Sequence, residues 1–179
     1  MKKLIIAAAI VCAAVVSQAA AVGWSMSGAS DYAGGNYKFF VLGLNGATDA
    51  DSIASLIGTK GWDAVSSMEF ASGSVLANGA VVQAANTSGK SITYKEPPAT
   101  AADNTYEGVI FVLSTDGKTA SYTALNEQVL ANNSTSKAFA FGAQGTNLAN
   151  NKFAVAPEPT SGLLLLLGVA GLALKRRRA

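Results

Sequence analysis

Val109-Ile110-Phe111-Val112-Leu113-Ser114-Thr115-Asp116-Gly117-Lys118 is the stretch on which the fold reading turns. Five consecutive apolar residues, most of them β-branched or aromatic, form a run too short for an ordinary helix and rich in strand formers. Asp116-Gly117 then supplies a tight hairpin turn. Beyond it, Lys118 to Leu125 alternates Ala120, Tyr122 and Ala124 with Thr119, Ser121 and Thr123, the period of two expected of a returning strand.

The same pattern spreads outward. Tyr37 to Leu42 is apolar on both faces, as in a central strand covered from both sides. Asn78-Gly79 lies between Ser74-Val75-Leu76 and Val81-Val82 and predicts a second hairpin. Phe139 and Phe141 share a strand face, as do Phe153 and Val155. One stretch differs: Thr48-Asp49-Ala50-Asp51-Ser52 offers helix caps, and Ile53, Leu56 and Ile57 follow helical spacing up to Gly58. A short helix over a sheet edge or end is expected there. Pro97-Pro98 with Ala99 to Asn104 reads as an exposed loop, and no fixed-period repeat is present. The fold class is therefore mainly β, an antiparallel β-sandwich-like single domain with one short helix, followed by a C-terminal transmembrane helix.

The N-terminus, residues 1–21, has the layout of a secretory signal peptide. Lys2 and Lys3 precede an apolar run from Leu4 to Val16, and small residues place signal cleavage after Ala19 or Ala21, with Ala21 preferred. Cys12, the single cysteine, lies inside that run behind the bulky Val11, which does not fit a lipidation site. It would leave with the signal, so the exported domain has no thiol, disulfide or cysteine metal site.

At the other end, Ala156-Pro157-Glu158-Pro159 is followed by an apolar segment from Gly162 to Leu174 and the basic stop Lys175-Arg176-Arg177-Arg178. As a helix the apolar segment is about 20 Å long, short of a hydrocarbon core of ~30 Å. Its leucines favour insertion, and the basic side chains can snorkel to relieve the mismatch. It is an anchor suited to temporary residence. The positive stop and the signal peptide agree on topology, with the domain outside and the tail inside.

Pro-Glu-Pro, a Leu/Gly/Ala helix and a basic end, in that order, resemble a PEP-CTERM sorting domain over residues 156–179. The resemblance implies recognition of Pro157, Glu158 and Pro159 by an exosortase, a membrane-embedded protease or transpeptidase that cuts near the motif. It also implies a bacterium of Gram-negative type that makes extracellular polysaccharide. The Leu-Pro-x-Thr-Gly motif of sortase substrates is absent. The physics of the motif is compatible with such a role, because two prolines hold Ala156 and Glu158 extended and outside any helix.

Residues 22–155 form the exported domain, on the order of 130 residues and enough for one core. From residue 22 to residue 156, seven lysines against ten acids give a net charge of −3, with no arginine and no histidine. That balance argues against nucleic-acid binding. Without histidine there is no Ser-His-Asp or Cys-His catalysis and no imidazole metal ligand. No glycine-rich phosphate loop occurs, and no Ser-Lys pair stands out.

Three functional readings follow. The first is a non-enzymatic surface or extracellular-matrix protein, structural or associated with exopolysaccharide, needing no cofactor and no metal. The second is a carbohydrate-binding module in which Trp24 and Trp62, with the tyrosines, offer a sugar-stacking platform. The competing role for those rings is core, and the burial of Trp62 decides between them. The third is a glycoside hydrolase using Asp49 and Asp51, although both sit where helix caps are expected. Asn86, Asn132 and Asn133 match glycosylation acceptor patterns as a by-product of Ser/Thr/Asn-rich loops.

Overall fold

The computed structural model describes residues 19–83, 91–93, 105–129 and 137–157. The signal-peptide run with Cys12, the loop at Pro97-Pro98, the three asparagine motifs and the membrane segment from Gly162 to Leu174 lie outside them. So do Glu158, Pro159 and the basic stop.

In chain order the elements are β1 (Ala19–Ser27), β2 (Asn36–Val41), α1 (Ala50–Lys60), β3 (Ala71–Ser74), β4 (Val81–Gln83), β5 (Ser91–Thr93), β6 (Thr105–Leu113), β7 (Thr119–Val129), β8 (Lys137–Ala143), α2 (Gly145–Asn150) and β9 (Phe153–Ala154). Short 3-10 turns sit at Ser30–Tyr32 and Trp62–Val65. A five-stranded sheet runs β3-β2-β6-β7-β9, all antiparallel. A smaller sheet is built on β1, which pairs antiparallel with β4 and β5. β8 joins β1 in parallel, the one parallel pairing among the described strands of a mainly antiparallel fold.

The two sheets face each other across an aromatic core. Tyr37 and Phe39 of β2, Ile110 and Val112 of β6, Trp24 of β1, and Phe139 and Phe141 of β8 are all buried in one cluster. Trp24 stacks on Phe39 with ring centroids 4.9 Å apart, and Phe70 and Phe139 meet Phe39 edge-on. These are the offset and edge arrangements that ring quadrupoles prefer. Gly108 lets the sheets come this close, because a Cβ there would lie 2.6 Å from the Phe139 ring.

The outer face of the large sheet is also buried. Phe40, Val109, Phe111 and Leu113 point away from the small sheet and pack against Ile53 and Ile57 of α1 and against Trp62 and Val65. β2 and β6 are therefore covered on both sides, as their apolar runs require. The helix lies on the face of the sheet, not over an edge or end, because Phe40 and Phe111 present an apolar patch that needs a cover. It also runs past Gly58 to Lys60, where the Gly61 N–H returns to the Ile57 carbonyl at 3.0 Å.

Both turn motifs form, with different outcomes. At Asp116-Gly117 the chain reverses between β6 and β7, with Gly117 at φ +70° and Asp116 Oδ1 accepting from Ser114 Oγ and the Lys118 N–H. These bonds hold the Asp116 carboxyl below its usual range, the Ser114 hydroxyl first. At Asn78-Gly79 the turn closes through Leu76 N to Ala80 O at 2.8 Å. Its strands then separate: β3 stays with β2, and β4 crosses to β1. The expected hairpin is a bridge between sheets, because each strand finds its longer apolar partner elsewhere.

Candidate functional site

Where the domain hands over to its tail, β9 carries Phe153 and Ala154 opposite Ala120 and Thr119 of β7. Phe153 is half-buried and meets Phe111 edge-on, with centroids 6.3 Å apart. The grip continues for two residues. The Val155 N–H donates to the Lys118 carbonyl at 2.9 Å, and the Ala156 N–H donates to the Ile57 carbonyl at 3.4 Å. Pro157 is exposed. It has no N–H, so the ladder cannot extend through it. Among the described residues, the backbone hydrogen bonds therefore run up to Ala156, next to Pro-Glu-Pro.

At the other end, β1 starts at Ala19 and runs through both expected signal cleavage positions. Ala19, Ala20 and Ala21 pair with Thr93, Ile92 and Ser91. A chain beginning at Val22 keeps the β4 and β8 partners of β1 and loses those three pairings.

The aromatic candidates do not form a stacking platform. Trp24 is 2% exposed, with its indole N–H donating to the Tyr37 hydroxyl at 3.2 Å. Trp62 is 7% exposed and lies under the Lys38 ammonium, 5.5 Å from the ring centroid. A sugar needs an open ring face, and both rings are spent in the core. Trp24 and Trp62 also belong to different clusters on opposite faces of the large sheet.

The two acids separate as well. Asp49 caps α1, accepting from the Ser52 N–H at 2.7 Å and the Ser52 hydroxyl at 2.8 Å. The Ser52 backbone bond, then its hydroxyl, lower the Asp49 pKa. A carboxyl so stabilised in its charged form is a poor general acid. Asp51 instead accepts from the Tyr122 hydroxyl at 2.5 Å. That bond, then burial, push the Tyr122 phenol up to about 12. The groove beside this pair, about 530 Å³, is lined by Asp51, Ser55, Tyr122, Asn150, Asn151 and Lys152, among others.

One cluster escaped the sequence reading. Lys38 sits in the middle of β2, is 4% exposed, and reaches Glu69 at 2.8 Å and the Ser66 hydroxyl at 2.5 Å. Ser72 donates to the other Glu69 oxygen at 2.9 Å. A Ser-Lys nucleophile needs a neutral amine. Here Lys38 Nζ is engaged by the Glu69 carboxylate and the Ser66 hydroxyl, so the arrangement reads as a partly buried ion pair. Nothing in the run Tyr37 to Leu42 marks Lys38 as buried except its place in an otherwise apolar strand.

Residues 155–178 match the family model of the PEP-CTERM protein-sorting motif. No curated protein and no solved structure matches the chain. The motif implies export, a membrane-anchored precursor and processing by exosortase, a membrane enzyme, toward the cell surface. Among the described residues no helix is long and apolar enough to cross a membrane.

Proposed function

We infer, from a chain whose residues 155–178 carry a PEP-CTERM sorting motif, that this β-sandwich is a passenger domain displayed at the cell surface or in the extracellular matrix after exosortase processing, and that its role there is non-catalytic. The observation that supports the reading is that the paired strand β9 and the bonded Val155 and Ala156 lead directly into the motif. The non-catalytic part draws support from the uses to which the polar groups are put. Asp49 caps a helix, Asp116 braces a turn, and Lys38 and Glu69 neutralise each other.

Association with exopolysaccharide belongs to the same reading. With Trp24 and Trp62 withdrawn into the core, a surface that suits sugar hydroxyls is the groove lined by Asp51, Tyr122, Asn150 and Asn151. Carboxylate and amide groups are the usual orienting partners in such sites. Fractionation of the host with and without its exosortase tests the whole proposal. The domain should move from the membrane fraction to the surface or medium only when the enzyme is present. A distribution indifferent to the enzyme would sink it. Loss of polysaccharide pull-down in Asn150→Ala/Asn151→Ala would support the groove, and unchanged pull-down would remove it.

A further inference from the structure

The outer face of the five-stranded sheet changes character at β3. We propose that the cavity there, about 390 Å³, is a binding site for an uncharged, hydroxyl-rich ligand of the size of a sugar unit, held by hydrogen bonds and not by ring stacking. The inference does not depend on the sorting reading. Nor does it depend on the groove beside Asp51, which is lined by different residues.

Strand register builds the floor. Lys38 stands opposite Ser72, and Asn36 stands opposite Ser74. Residues directly paired across neighbouring strands point to the same face, and all four line the cavity. Two residues on, Phe40 takes that face under α1. An apolar residue at position 38 would carry the seal on toward β3. Instead the chain places an ammonium there, 4% exposed, with small hydroxyl side chains across from it. A partly buried ion pair seldom stabilises a fold more than well-packed apolar groups do. A local rule broken without a gain in stability marks a place with another use.

The wall is polar too. Trp62 and Asp63 of the 3-10 turn, Ser66 just after it and Glu69 close one side. Lys38 donates to the Ser66 hydroxyl at 2.5 Å, which leaves that hydroxyl's own proton for another acceptor. Ser72 occupies Glu69 Oε1. Glu69 Oε2 lies 2.8 Å from the ammonium, yet it accepts no hydrogen bond among the described residues. A buried acceptor in that state favours a ligand that brings a donor. The Glu69 side chain is 21% exposed, within reach from the cavity. Asn36 and Ser74 are exposed beside it.

Charge then selects the ligand. The cavity is lined by the ammonium of Lys38 and the carboxylates of Asp63 and Glu69. An anion would meet the carboxylates and a cation the ammonium, and like charges set side by side are costly. Mixed donors and acceptors suit hydroxyl groups, which are both at once. The volume falls in the lower part of the range of roughly 300–1,000 Å³ typical of small-molecule sites. Trp62 is a wall and not a platform, because Lys38 already covers its ring.

Isothermal titration of the full chain, in a detergent without a sugar headgroup, tests the site. The probes are uncharged gluco-, galacto- and manno-oligosaccharides, with a polyuronate and a polyglucosamine as charged controls. At least one neutral probe should bind, and the charged polymers should not displace it. Ser74→Leu fills the cavity from an exposed position, and Asn36→Ala removes an amide from its floor. Together they should weaken binding at least about tenfold. Asn150→Ala/Asn151→Ala, in the groove beside Asp51, should leave this binding unchanged. If the thermal midpoint shows that Ser74→Leu unfolds the chain, Asn36→Ala alone carries the test, with a loss of roughly threefold or more expected. A chain that binds none of the neutral probes, or binds them as tightly in the variants, overturns the proposal. So does a preference for the polyuronate or the polyglucosamine. Binding lost in Asn150→Ala/Asn151→Ala and kept in Ser74→Leu assigns the sugar to the other groove and overturns this one.

Discussion

The two faces of the five-stranded sheet are both buried, yet they are closed in different ways. The inner face meets a second sheet and is filled by Trp24, Phe39, Phe70, Phe139 and Phe141, drawn from widely separated parts of the chain. The outer face is closed by one helix, a short turn and the two-residue strand β9, and it holds the buried Lys38–Glu69 pair at its rim. The inner core is one continuous apolar cluster. The outer layer depends on the segment immediately before the sorting tail.

The largest expected effect breaks the inner face. Phe39→Ala removes a ring in contact with Trp24, Phe70, Phe139 and Phe141. It should cost about 3–5 kcal/mol in urea unfolding. Phe153→Ala on the outer face should cost only about 1–2 kcal/mol, because that ring is already half-exposed. Equal losses would mean that the two layers are not distinct. Next comes the ion pair at the outer rim. Glu69→Gln leaves the buried Lys38 ammonium without its counter-charge and should cost about 1–3 kcal/mol. Adding Lys38→Met should recover most of that loss. A double variant no better than the single would show that the pair stabilises the outer layer outright.

Tyr122→Phe tests the outer face more gently, since it keeps the stack on Phe111 and deletes only the hydrogen bond to Asp51. A loss of about 0.5 kcal/mol is expected for a partly exposed bond of this kind. Its pH signature is sharper. Folding raises the phenol pKa to about 12 and so favours the protonated form, the Asp51 bond being the main cause. The contribution is complete below the ordinary tyrosine pKa of about 10 and is lost as pH rises toward the folded value. Urea unfolding across that window should show wild type losing more stability than the variant. Asp49→Ala removes the α1 cap and is read best through its pH dependence. The lowered Asp49 pKa means that its contribution is present above the ordinary carboxylate range and fades as pH falls through the folded value. The thermal midpoints of wild type and variant should converge in acid, and a gap that persists there would assign the cap to something other than the charge.

Much of this architecture was legible locally. The β6–β7 turn follows from Asp116-Gly117 because a positive-φ glycine after an aspartate is a local chemical requirement. The α1 start follows from Asp49, whose carboxylate satisfies a helix N–H within three residues. The two-faced burial of β2 follows from a run that is apolar except for Lys38. β7 was less transparent. Its alternation is real, but Ser121 and Thr123 on the polar side are buried, donating to the Leu148 carbonyl and to Gln144 Oε1. A polar residue reads as solvent-facing until a distant acceptor is found for it. The destination of β4 and the parallel pairing of β1 with β8 were hidden for a related reason. Strand pairing is decided by which apolar faces meet, and those faces lie far apart in the chain.

By itself the sequence determined the sorting tail, the mainly β character, the helix start and the hairpin turn. Each rests on groups within a few residues of one another, so the covalent order of the chain is enough to specify it. Tertiary structure alone decided that Trp24 and Trp62 are core, that Asp49 and Asp51 have separate partners, and that Lys38 is neutralised by Glu69. It also placed a backbone hydrogen bond at Ala156, the last one among the described residues and one residue into the tail that the sequence marks. Burial and pairing depend on what arrives from elsewhere in the chain, and only the assembled sheets bring it there.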